Sequence, residues 1–187
     1  MDGEFFTALI GVIGTVIGTV LGWILNNLSK NGKLNVYVTI FKDMFQYNAL
    51  GHMENSTSKE VTDCYSYNLS VDLHNSSGES KIMRNMSIVF SDGNKELFRD
   101  IPKDDSTQQR TGPIRFYDEI GAVNIPPKTV IQLDLHGGFW KSKDDFELIW
   151  GTKKIYLEYL DDKNKVKTVD IKTVEYENYF TQTQEET

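Results

Sequence analysis

The chain has 187 residues, 25% of them charged, with a formal net charge of −7 at pH 7. Beyond an N-terminal apolar segment that length suffices for one domain with its own core, and the acidic balance excludes a broadly basic surface for free nucleic acid. A single cysteine, Cys64, excludes an intrachain disulfide, so no oxidising compartment is implied.

Phe5 to Leu25 is 21 residues without a charge. At the helical rise it spans roughly 30 Å, one bilayer core. The flanks do not suit a signal peptide, which needs a basic start and a small-residue cleavage site. Here Asp2 and Glu4 precede the run, and Trp-Ile-Leu-Asn-Asn ends it. The segment is therefore expected to be a retained single-pass membrane helix. Lys30, Lys33 and Lys42 follow it and no basic side chain precedes it, so positive-inside bias places the N-terminus outside and the C-terminal domain in the cytoplasm. Lysine outnumbers arginine 16 to 4, a bias associated with low-GC bacteria and their phages, and the membrane expected is the bacterial inner membrane. Asn-x-Ser/Thr triplets begin at Asn55, Asn68, Asn75 and Asn85, among others; in an asparagine-rich chain they arise by chance.

At about 100° per residue, Thr7, Gly11, Gly14, Gly18 and Gly22 share one stripe, and Thr15 and Thr19 border it. Val12, Ile13, Val16, Ile17, Val20 and Ile24 cover the opposite side. Each glycine costs roughly 1 kcal/mol relative to alanine in a soluble helix. Small faces instead let membrane helices approach and gain dispersion contacts, since lipid offers no hydrophobic drive for association. The stripe predicts self-association. The threonine hydroxyls could line a narrow lumen; the run carries no charged residue to mark an ion path. A plain single-pass anchor is the alternative.

Asn26 to Lys33, NNLSKNGK, ends the helix. From Leu34 the period changes to two, and strands are predicted at 34–41, 64–74, 81–90, 96–99 and 128–136, with a hairpin over 155–174. Ser-Asp-Gly-Asn after Phe90 and Asp-Asp-Lys-Asn-Lys after Leu160 read as turns. Asn48 to Asp63 and Lys103 to Pro113 read as long polar loops. The expected organisation is a helix over residues 1–30, a domain over 31–180 and a polar tail over 181–187 that frays. Seven or eight short strands without a convincing soluble helix predict a mainly β chain, an antiparallel β-sandwich, with a small barrel as runner-up. Leu69 to Gly78, followed by Ile82 to Phe90, resembles the paired strands of immunoglobulin-like or fibronectin-like modules.

Catalytic signals are weak. Val71-Asp-Leu-His74 and Leu133-Asp-Leu-His136 repeat a phrase that puts Asp and His on one strand face. If the two strands were neighbours, four metal ligands could meet, but no ligand spacing supports a site, and a solvated face is the plainer reading. Cys64 reads as a small buried hydrophobe. Gly137-Gly138 with Trp140 suggests a bend at a strand end, and no Walker, nucleophile-elbow, zincin or dinucleotide fingerprint occurs. Neither an enzyme, a metal nor a cofactor is expected. Lys153, Lys154, Lys163, Lys165 and Lys167 crowd the C-terminal hairpin, with Lys172 further along and Lys141 and Lys143 before it. They read either as a solvated edge or as a site for an anionic nucleotide, oligonucleotide or lipid headgroup; in the second reading Lys163, Lys165 and Lys167 share one side of a strand.

A short outer end, one glycine-striped helix (Gly11, Gly14, Gly18, Gly22) and a small β domain together resemble in layout the membrane effectors of bacterial anti-phage systems, of the Hailong type or the cyclic-nucleotide type known as CBASS. The resemblance implies a homo-oligomer that opens a pore or ion channel for antiviral defence. It also implies a β domain that senses a nucleotide-type signal or holds the inactive state. The alternative is a passive anchored module whose immunoglobulin-like domain recruits a protein partner.

Overall fold

The computed structural model describes residues 2–141 and 146–182; Lys143 and residues 183–187 of the expected tail lie outside them. The N-terminal segment is one helix, α1 (Asp2–Lys30), long and apolar enough to cross a membrane. Its described side chains, from Phe5 through Lys30, are all exposed. The helix does not stop at the polar Asn26-Asn27 pair but runs on to Lys30, because nothing there breaks the hydrogen-bond ladder until Asn31 and Gly32.

Twelve strands follow among the described residues: β1 (Leu34–Ala49), β2 (His52–Asn55), β3 (Cys64–Asn75), β4 (Lys81–Ser91), β5 (Glu96–Asp100), β6 (Lys103–Asp104), β7 (Gln109–Thr111), β8 (Ile114–Phe116), β9 (Val123–Ile125), β10 (Thr129–Trp140), β11 (Lys154–Leu160) and β12 (Val166–Thr173). One sheet has the order β2-β1-β3-β10-β6; the other has β12-β11-β4-β5, with β9 paired to the start of β4. Every pairing is antiparallel. The chain is mainly β, and the predicted immunoglobulin-like sandwich is the fold found.

The core lies between the sheets and follows the pleat. In β3, Tyr65, Tyr67, Leu69, Val71 and Leu73 are buried in strict alternation, and β11 answers with Ile155, Leu157 and Tyr159. In β4 the alternation shifts once: Met83 and Met86 are both buried, with Asn85 between them at φ 50°. Three steps of β4 there oppose two of β11, a bulge that re-aims the strand.

Three expectations need correction. The predicted loop at 48–63 contains β2, because Leu50 and Gly51 take positive φ and close a tight hairpin, with Asn48 Oδ1 accepting from Gly51 N at 2.7 Å. The predicted loop at 103–113 holds β6, a 3-10 turn and β7, whose hairpin partner β8 begins just past it. Gly137 and Gly138 mark no strand-end bend; they sit within β10, opposite Tyr67 and Ser66. A Cβ on Gly137 would overlap the Tyr67 hydroxyl and the Asp100 carboxylate, and one on Gly138 would overlap the Tyr65 carbonyl.

The strand ends define two ends of the sandwich. The helix end carries Leu34, Asn75, Lys81, Ile125, Thr129, Leu160 and Val166; the far end carries Ala49, Cys64, Ser91, Trp140, Lys154 and Thr173.

Candidate functional site

Along α1 a Cβ on Gly11, Gly14, Gly18 or Gly22 would meet nothing within 4 Å. The stripe is an open, shallow face. The three threonines do not project free hydroxyls from it. Thr7 Oγ1 donates to Gly3 O at 2.9 Å, Thr15 Oγ1 to Gly11 O at 2.6 Å, and Thr19 Oγ1 to Thr15 O at 2.8 Å. Each hydroxyl hydrogen is spent on the turn before it, as expected of threonine in a helix without polar neighbours. What the face offers another helix is close backbone approach rather than a row of donors.

The helix meets the domain in a fixed joint. Gly78 N donates to Ser29 O at 2.7 Å and Ser76 N to Lys33 O at 2.9 Å. Ser76 Oγ accepts from Lys33 N and donates to Lys33 O, both at 2.9 Å. Side chains are excluded on both partners: a Cβ on Gly32 would overlap the Ser76–Ser77 peptide, and one on Gly78 would lie 2.9 Å from Ser29 O. The β3–β4 loop is itself held by buried Asn75, whose amide donates to the carbonyls of Glu79, Ile125 and Pro126 while its Oδ1 accepts from Ser77. All of a buried amide's bonding capacity is used, so the loop is a rigid abutment. Sequence reading missed the joint: Gly32 read only as part of the helix stop, and Gly78 only as the end of the phrase that resembles an immunoglobulin-like strand.

The candidate lysines divide. Lys163 and Lys165 lie in the β11–β12 turn at the helix end, not on a strand, and Lys167 stands one residue into β12, opposite Tyr159. Lys153 and Lys154 sit at the far end, where Lys154 pairs with Asp170 at 2.9 Å. The length of the hairpin, about 20 Å for seven residues, separates the two groups. The expected single anionic site, and the shared strand side for Lys163, Lys165 and Lys167, are therefore corrected. The turn places Lys163 and Lys165 instead: Asp161 Oδ1 accepts from Lys163 N at 2.8 Å and Lys165 N at 2.9 Å, with Asn164 at φ 57°. Those backbone bonds hold the Asp161 carboxyl below its ordinary pKa.

The turn joins the other basic groups of the helix end. Lys81 pairs with Asp162 at 3.1 Å, Arg84 donates to Asn164, Lys30 pairs with Glu79 at 3.3 Å, and Lys128 N bonds Ser77 O at 3.2 Å. Lys33, Lys128, Lys163 and Lys165 are exposed.

The repeated Asp-Leu-His phrases do lie on neighbouring strands, β3 and β10. Their antiparallel register sets His74 opposite Val130 and His136 opposite Asn68, six residues apart, or about 20 Å. His136 contacts Asp105 and packs edge-on against Tyr117, and Ser70 Oγ donates to Asp134 at 2.6 Å. Among the described residues no three His, Cys, Asp or Glu side chains could hold a metal. Cys64 is buried, and burial, then the Asp63 charge, pushes its thiol pKa up.

At the far end, residues outside the sequence-predicted set enclose a groove of about 660 Å³, lined by Phe41, Asp43 and Phe45 of β1, Asn55 to Thr57, and Tyr179 and Phe180 of the closing helix α2 (Tyr179–Gln182). Beneath it the Asp43 carboxylate, 5% exposed, pairs with Lys172 at 2.9 Å and accepts from the Tyr176 hydroxyl, which lies 2.9 Å from that of Tyr65. Burial first, and the Asp43 charge second, push the Tyr176 pKa well above its ordinary value.

No curated protein matches the chain. Among solved structures it is similar to the putative ApaA protein of Bordetella pertussis (10% identity, 78% of this chain and 93% of that one, TM-score 0.37). It is also similar to a flagellar-like filament structure, Iho670 (8% identity, 91% and 98%, TM-score 0.34). The model of the YopI Ig-like domain family matches residues 32–172, from the joint through almost all of β12, and the chain belongs to that family.

Proposed function

We propose that the protein is a single-pass membrane protein that self-associates through α1 and carries its Ig-like domain on the cytoplasmic side. The observation that carries this reading is the glycine stripe, open along its whole length on a helix whose described side chains from Phe5 onward are all exposed. Retention of the helix is supported by the joint, whose hydrogen bonds bind Ser29 and Lys33 to the domain. Orientation rests on Lys30 and Lys33 following the helix. The protein acts by assembly and binding rather than catalysis. In the fuller form of this proposal the assembly opens a pore, as the resemblance to anti-phage effectors implies; such a pore would be narrow and lined by glycine and backbone, because the threonine hydroxyl hydrogens are already used.

The test is the mass of the detergent-solubilised full-length protein beside that of the Gly14→Ile, Gly18→Ile pair. Neither position touches the domain, so the variant is expected to fold and to lose its oligomeric mass. An oligomer of unchanged mass overturns the assembly role of the stripe. A second reading, a passive anchor whose domain captures a protein segment, is favoured by the far-end groove. Exchanging α1 for an unrelated single-pass helix separates the two: function survives if the helix only localises.

A further inference from the structure

We propose that the helix end of the Ig-like domain is a docking surface for anionic phospholipid headgroups of the bilayer that α1 spans. The inference rests on the membrane reading above. Charge is distributed unevenly over this chain. Its net charge is −7, yet the turns and strand starts at the helix end reverse that sign. Lys30 comes from the end of α1 and Lys33 from the link to β1, Lys81 and Arg84 from β4, Lys128 from the turn before β10, and Lys163 and Lys165 from the hairpin turn. Against these seven cations stand three carboxylates, Glu79, Asp161 and Asp162. Glu79 is engaged by Lys30 and Asp162 by Lys81, while Asp161 is spent on the backbone of its own turn. Lys33, Lys163 and Lys165 are left exposed at an end with net positive charge, and Lys128, whose Nζ donates to Ser76 O, is exposed beside them.

The geometry sets this end at headgroup depth. Trp23 closes the apolar run and is exposed, as an interfacial aromatic should be. From Trp23 to Ser29, where the domain first touches the helix, is about 9 Å of helical rise. The polar layer on each side of a bilayer core is about 5–8 Å thick. The domain therefore begins where the headgroups end. The joint leaves it little freedom to swing away, because two backbone hydrogen bonds and the two of Ser76 Oγ close it at Gly32 and Gly78, where no side chain fits. A basic surface held at that depth faces the negative potential of the cytoplasmic leaflet.

The test uses the full chain. Cys64 is buried, so a polarity-sensitive label on Val166→Cys, an exposed position beside the hairpin turn, reports on that turn alone. The protein is placed in nanodiscs of phosphatidylcholine, with and without phosphatidylglycerol. The label is expected to enter a less polar environment only in the anionic discs, and to leave it as salt is raised. Replacing Lys163 or Lys165 by Ala should each lower the docked-to-undocked ratio about fivefold. A label equally hydrated in both discs overturns the proposal while leaving the anchor reading intact. A response to inorganic phosphate in neutral discs overturns it in favour of a free anion. Failure to incorporate into either disc overturns the membrane reading and this proposal together.

Discussion

Replacing Gly32 by Ala tests whether the helix and the domain form one mechanical unit. The new Cβ would overlap Ser76 O and Ser77 N, which are backbone atoms, so no rotamer change can relieve the contact. Either the β3–β4 loop must retreat or the end of α1 must. The loop is held by the five hydrogen bonds of buried Asn75, so the helix end is expected to give way. Four bonds then fail together: Gly78 N to Ser29 O, Ser76 N to Lys33 O, and the two between Ser76 Oγ and Lys33. At about 1 kcal/mol each their sum is about 4 kcal/mol, and water regained at an exposed junction reduces that to about 2 kcal/mol. The sandwich core lies elsewhere and should be untouched.

The distinguishing readout is amide hydrogen exchange in the detergent-solubilised full chain. The amides of Lys33, Ser76 and Gly78 should exchange about 30-fold faster in the variant. Those of Leu69 and Val71 in β3 should keep their protection. Unchanged exchange at the joint would refute the reasoning. Loss of protection throughout β3 would show that the joint is part of the folding core rather than a separable coupling.

Gly137→Ala places a methyl group on the Tyr67 hydroxyl and the Asp100 carboxylate, which form a 2.7 Å hydrogen bond. Thermal unfolding should register about 1–3 kcal/mol of destabilisation. Tyr176→Phe removes the hydroxyl that donates to buried Asp43 and contacts Tyr65; denaturant titration should show a loss of about 1–3 kcal/mol, with the oligomeric mass unchanged. Burial raises the pKa of Tyr65, Tyr67 and Tyr176. Raised folded values mean that their contribution is complete below the unfolded value of about 10 and is lost as pH rises above it. Tyrosinate absorbance and circular dichroism should therefore change together in alkali, and tyrosinate appearing well before unfolding would contradict the burial. The Thr15→Val, Thr19→Val pair should leave the oligomeric mass unaltered, because those hydroxyl hydrogens stay within their own helix.

Legibility in the sequence followed the range of the interaction. β3 and β11 each bury one face over seven or more residues, so their alternation was visible without a structure, whereas β4 is buried on both faces from Met86 to Ser91 and read as a strand from its apolar run. β2, β6, β7, β8 and β9 run two to four residues, too short for any period to declare itself. Gly137-Gly138 announced a conformational need, but the cause lay 70 residues back, in the aromatic residues Tyr65 and Tyr67 of the neighbouring strand. The groove escaped notice for the same reason: it joins β1 to a closing helix at the other end of the chain.

The lysines show how a local reading can assign the right residue type to the wrong site. Spacing of two along 163–167 suggested one strand face, but the turn bonded by Asp161 takes up Lys163 and Lys165 before the strand begins. What gathers basic groups is topology. Antiparallel order returns the β11–β12 turn, the start of β4 and the turn before β10 to the end where the chain leaves α1. Positions separated by more than 100 residues thereby acquire one electrostatic surface. Flanking charge predicted an orientation from Lys30, Lys33 and Lys42; the fold adds basic residues from three further segments to the end that holds Lys30 and Lys33. Each rule, helix flanks and strand return, is elementary by itself. Their coincidence at the joint gathers these basic residues at the end of the domain that α1 enters.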